Sequence, residues 1–123
     1  MRLLLLIGTG SFIGGILRYL LSFFITSKSN SYFPFGTLTV NIIGCMLIGL
    51  LFGLSEKVNL SQEWRLFLAT GILGGFTTFS AFSNESFGMI RDGQLVYAIS
   101  YISLSVFVGI AATFLGFALI KLL

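Results

Sequence analysis

Hydrophobic residues run along this chain in four long stretches, Leu3–Ile25, Phe35–Leu54, Trp64–Met89 and Val96–Ile120. Each reaches the roughly 20 residues that an apolar helix needs to cross the hydrocarbon core of a bilayer. None alternates apolar and polar positions in the short, roughly 10-residue units of a membrane β-strand. The connectors around Ser27–Pro34, Ser55–Glu63 and Arg91–Gln94 are short and hold most of the charge and the only proline. The pattern predicts an all-α integral membrane protein with four transmembrane helices. Residues 1–123 form a single membrane domain with spans of about 3–25, 35–54, 64–89 and 96–120.

The third stretch departs from the other three. Its middle, Gly71–Glu85, reads GILGGFTTFSAFSNE, with three glycines, two adjacent threonines, serines, an asparagine and a glutamate. This composition predicts a helix broken near its middle. Inside a membrane, backbone groups released from a helix survive only against protein or around a polar cavity. Discontinuous spans of this kind build ion and substrate sites near the midplane. The expected activity is movement of a small solute.

Composition narrows the choice further. The chain is 56% hydrophobic and 9% charged, with a net charge of +3 that is too small and scattered to suggest nucleic acid. It has no histidine, and its one cysteine, Cys45, forms no intrachain disulfide. No phosphate-binding loop, metal cluster or nucleophile–base pair is visible, so an enzyme and an organic cofactor are not expected. Met1-Arg2 followed by Leu3–Ile7 resembles the start of a signal peptide, but the apolar run continues through Arg18-Tyr19 to Ile25. A retained first span is the expectation.

Four helices, each roughly 10–12 Å across with side chains, pack into a solid bundle with little room for a path. Oligomerisation is the natural remedy. Small residues recur four apart in Gly10/Gly14, Gly49/Gly53 and Gly71/Gly75, which permits close helix contact. That contact serves either a subunit interface or packing within one chain.

Several polar side chains lie where chemistry is expected. Thr37, Asn41 and Gly44 share one face of the second span. Asn41 is either an interhelical hydrogen-bonding residue or a donor to a passing anion. Phe79 and Phe82 share a face after the break, beside Thr77, Thr78, Ser80 and Ser83. Their positive ring edges can face an anion while hydroxyls donate to it. Tyr101, Ser105, Gly109 and Thr113 form a polar-to-small stripe along the last span, which serves packing alone or lets Tyr101 and Thr113 line a wet path. Arg18 is deep enough to matter and is expected to cap carbonyls or anchor a loop, although it could snorkel outward. Glu85, the sole carboxylate in the spans, either serves proton coupling or pairs within the bundle.

Gly36–Gly44 reads GTLTVNIIG, Gly74–Phe82 reads GGFTTFSAF, and a glycine-rich first span ends in Arg18-Tyr19. Together these resemble the CrcB/Fluc family of small fluoride ion channels, from the first span to the last. Ala81 stands where members often carry threonine. The resemblance implies an antiparallel, dual-topology homodimer in the cell membrane that passively exports cytoplasmic fluoride along two pathways. It places Asn41, Phe79 and Phe82 in the fluoride path, with Ser80 and Thr113 as polar lining and Tyr101 at a vestibule position. It also implies a structural sodium ion at the dimer centre, held by backbone carbonyls of Gly74 and Thr77. The alternative is a small dual-topology multidrug or cation transporter of similar size. Such a protein should carry its essential carboxylate in the first span, where this chain has Arg18 and no acid.

Basic residues divide almost evenly between the two membrane faces. Arg2, Lys57, Arg65 and Lys121 fall on the N-terminal side; Lys28 and Arg91 fall on the other, joined by Arg18 if it snorkels. The positive-inside rule then gives little orientation preference.

Overall fold

The computed structural model describes all residues from Met1 to Leu123 and is entirely helical. Helix α1 spans Arg2–Lys28 and α2 spans Phe35–Val58. The third span, Gln62–Arg91, consists of α3 (residues 62–76), an extended pair at Thr77-Thr78, and α4 (Phe79–Arg91). Helix α5, Leu95–Leu122, completes the bundle. All four spans are long and apolar enough to cross a membrane. At 27 residues, α1 is roughly 40 Å long, which covers the hydrocarbon core and part of the headgroup region. The helices run several residues past the apolar stretches, because charged residues continue the helix into the interfacial layer.

The turns have local causes. Asn59 takes the left-handed conformation (φ 49°) at the end of α2, a geometry that asparagine tolerates better than most residues. Ser61 then caps α3, its Oγ accepting the Trp64 N–H. Gly93, at φ 75°, makes the turn between α4 and α5. At the same membrane face the Tyr32 hydroxyl donates to Asp92 Oδ2 at 2.8 Å, tying the α1–α2 connector to that turn. This bond, with a second from Arg91, holds the Asp92 carboxyl below its ordinary range.

Glycines set the packing. Gly10 and Gly14 of α1 lie on the backbone of α3 around Phe67, Gly71 and Ile72, and Gly75 lies on Ser11. Gly49 of α2 lies on the Thr113 carbonyl of α5, and Gly116 of α5 lies on Met46. The small-residue pairs therefore serve contact within the chain, which resolves the alternatives left by their spacing. Few residues are buried, 20 of 123, and nine of those are glycines. Phe12, Phe107 and Phe114 are each more than two-thirds exposed, as lipid-facing rings should be. The densest core, Phe33, Leu38, Met89, Ala98 and Tyr101, sits between α2, α4 and the start of α5.

One consequence is directly testable. A Cβ on Gly14 would collide with the Ile72 carbonyl, whereas one on Gly15 meets nothing within 4 Å. Gly14→Ala is expected to destabilise the protein by about 1–3 kcal/mol through overpacking. Gly15→Ala should be neutral or slightly stabilising, because alanine is the better helix former. Thermal stability in detergent, followed by size-exclusion chromatography, checks the contrast; equal behaviour of the two variants would refute the α1–α3 contact.

Candidate functional site

The break in the third span is held by side chains. The Thr78 backbone N–H donates to Asn41 Oδ1 at 2.8 Å, and Asn41 Nδ2 donates back to the Thr78 carbonyl at 3.0 Å. Asn41 thus grips both polar groups of one residue and replaces the helical bonds lost there. The Thr78 hydroxyl caps α4 by accepting the Ala81 N–H at 3.2 Å. Thr77 folds back instead, its N–H and hydroxyl both donating to Leu73 O.

These substitutions leave two carbonyls without their usual partners. In a continuous helix the Thr78 N–H would donate to Gly74 O and the Ala81 N–H to Thr77 O. Both donors are diverted, to Asn41 and to the Thr78 hydroxyl. Gly74 and Thr77 are therefore left with available backbone oxygens, and both residues line a cavity. Oxygens of this type suit a hard cation. The next carbonyl, Gly75 O, accepts Arg18 Nε at 3.2 Å, so the Arg18 side chain lies at the break and not at the membrane surface.

The cavity measures about 400 Å³. Asn41, Gly74, Thr77, Thr78, Phe79 and Phe82 all border it, so the structure brings together the second-span amide, the break and the phenylalanine pair. The Phe79 and Phe82 rings are 5.5 Å apart and tilted by 48°; Phe79 is 78% exposed and stands proud of the bundle. Ser80 lies at the same helix start, its hydroxyl 3.2 Å from that of Thr78.

Other expected residues lie elsewhere. The Thr113 hydroxyl donates back to Cys45 O and Gly109 O, at 3.1 and 3.3 Å, and stitches α5 to α2. It is not among the cavity-lining groups. Tyr101 is completely buried, packed against Phe33 and Phe82. Its hydroxyl donates to Glu85 Oε2 at 2.6 Å, while Thr37 donates to Glu85 Oε1 at 2.7 Å. The sole carboxylate in the spans is thereby held by two hydroxyls from two other helices.

Three features escaped the sequence. Ser105 borders the cavity and carries the single buried side-chain oxygen without a hydrogen-bond partner. Its place in the α5 stripe was the available signal. The π-helical stretches Leu66–Leu73 and Leu104–Val108 flank the cavity, and such widened turns recur at functional sites. The Thr37–Glu85–Tyr101 cluster was foreshadowed only by the rule that an intramembrane charge needs partners.

A helical membrane bundle whose mid-span break opens on a cavity, with an amide and a few hydroxyls set in otherwise apolar walls, is the architecture of a small transport protein or channel. The family relationship is specific. Residues 5–117 match the model of the family described as "CrcB-like protein, Camphor Resistance (CrcB)". The chain is 45% identical to a "Fluoride-specific ion channel FluC" of Flavobacterium psychrophilum over 98% of each sequence. It is 48% identical to a protein of the same name from Agrobacterium fabrum, over 93% of this chain and 92% of that one. A third such relative, from Phocaeicola vulgatus, is 44% identical over 94% and 96% of the two chains. The chain belongs to the CrcB family.

Proposed function

We propose that this protein is a passive fluoride-selective channel that exports cytoplasmic fluoride across the cell membrane. The observation that carries the reading is near-full-length similarity to relatives named as fluoride-specific ion channels, at 44–48% identity for those described above. The chemistry around the break supports it. Fluoride is small and strongly hydrated, so its path must replace water with good donors. Asn41 keeps a second amide hydrogen beyond the one given to Thr78, and Ser105 has an uncommitted hydroxyl. Ring edges of Phe79 and Phe82 add positive potential without a competing acceptor. Ser80 stands outside the cavity wall and adds a hydroxyl beside Thr78; Tyr101 and Thr113, with hydroxyls engaged elsewhere, contribute through position and packing.

The working unit in this reading is an antiparallel homodimer with two anion pathways, embedded in lipid and sharing one structural sodium ion. The carbonyls of Gly74 and Thr77 from each subunit would hold that cation, and its charge would raise the local potential felt by an anion. Preparing the protein with a large organic cation in place of sodium should lower flux or dimer stability. Full activity in sodium-free protein would discard the cation.

Release of fluoride from loaded liposomes, read with an ion electrode, tests the whole reading. Rapid fluoride efflux with chloride retained is expected; no efflux above empty liposomes overturns it. A multidrug or cation transporter would need an available carboxylate, and both Glu85 oxygens accept hydroxyls inside the bundle.

A further inference from the structure

A second cleft, of about 520 Å³, opens between the C-terminal part of α2 and the start of α3. Ser55, Gln62, Arg65 and Thr70 give it polar walls, and Ala69 is shared with the cavity at the break. The two spaces therefore adjoin along one seam of the bundle. Polar groups descend this seam in steps: Ser55, Gln62 and Arg65 near the membrane face, Thr70 below them, then Thr77, Thr78 and Asn41 at the break.

Arg65 is the only charged side chain bordering either space. Its charge is also uncompensated. The carboxylates at this end of the molecule are paired with other cations, Glu63 with Arg2 at 3.1 Å and Glu56 with Lys121 at 2.8 Å. Arg65 itself takes part in no salt bridge or side-chain hydrogen bond, and the other unpaired cations at this end, Lys57 and the Met1 amine, lie outside the groove walls. A single unpaired guanidinium over a low-dielectric groove focuses potential into it. Such focusing raises local anion concentration and entry rates by about 10–10³ in favourable cases.

We propose that Arg65 collects the anion at the mouth of this groove and feeds it toward Asn41, a role that rests on the fluoride-channel reading. Arg65 does not select fluoride, because an exposed cation attracts any small anion. It sets the rate at which anions reach the selective region. The competing role is interfacial anchoring, in which the arginine only snorkels to lipid headgroups.

Fluoride efflux from liposomes separates the two when measured at low fluoride and at two ionic strengths. At about 10 mM salt the screening length is roughly 30 Å, and at 150 mM it is roughly 8 Å. Arg65→Gln should lower flux about three- to tenfold in low salt, Arg65→Glu further, and Arg65→Lys little. The differences should shrink in high salt and at saturating fluoride. Gln62→Glu, which leaves Arg65 in place and sets a negative charge at the same mouth, should reproduce the salt-sensitive loss even if the Arg65 variants do not fold. Wild-type flux in Gln62→Glu, or a salt-independent loss shared by Arg65→Lys, overturns the proposal in favour of anchoring. If the unmodified protein releases no fluoride, the channel reading fails first, and that outcome is distinct from failure of the steering role.

Discussion

Asn41→Asp abolishes fluoride flux while the protein remains folded: this is the expected result of the smallest change that can be made at the break. The substituted carboxylate keeps an oxygen where Oδ1 now accepts the Thr78 N–H, so half of the grip on the break survives. It loses the N–H that donates to the Thr78 carbonyl and the second amide hydrogen directed elsewhere. It also sets a negative charge against the anion. Two like charges about 4 Å apart repel by about 4 kcal/mol at an effective dielectric constant near 20. At about 1.4 kcal/mol per tenfold, that corresponds to roughly a thousandfold loss. Size-exclusion chromatography reports folding and the fluoride electrode reports flux. Wild-type flux in Asn41→Asp, or in Phe82→Ile, would remove those residues from the path.

How much of this site could be read from the chain differs by residue and has physical reasons. The four spans were legible because a bilayer demands about 20 consecutive apolar residues, a constraint that acts locally. The break was legible for a related reason: Gly74-Gly75 followed by Thr77-Thr78 offers poor continuity and many hydroxyls. Which peptide breaks was not legible, because the choice depends on Asn41 reaching Thr78 from another helix. The widened turn in Leu66–Leu73 left no trace in composition, since LFLATGIL makes an ordinary helix equally well. The stripe on α5 correctly marked a face but not the use of each hydroxyl. Thr113 turns back to carbonyls, Tyr101 is buried against Glu85, and Ser105 alone stays uncommitted. Those differences come from what α2 and α4 place opposite each position, and that is tertiary information.

Cysteine labelling from each side of the membrane should modify a Ser29→Cys variant, in a Cys45→Ala background, from both sides. The reason begins with charge. Arg2, Lys57, Arg65 and Lys121 lie at one end of the bundle, Lys28 and Arg91 at the other. Arg18 cannot be added to the second group as an outward-snorkelling charge, because its Nε is tied to Gly75 O at the break. The excess at the N-terminal end is therefore two basic residues, not one. It remains a weak orienting bias. The position of the break supplies a second reason. Residues 62–76 precede Thr77-Thr78 and Phe79–Arg91 follow, so the two halves of the third span are nearly equal. A two-fold axis lying in the membrane plane brings two breaks together only if each sits at mid-depth, and this one does. An axis normal to the membrane places no such demand on its depth. The in-plane axis would also pair identical surfaces and set the available Gly74 and Thr77 carbonyls of two subunits around one point. Roughly comparable labelling from the two faces is the expected outcome. Labelling from one face only would establish a single orientation, and with it the parallel dimer that the two-residue charge excess would favour.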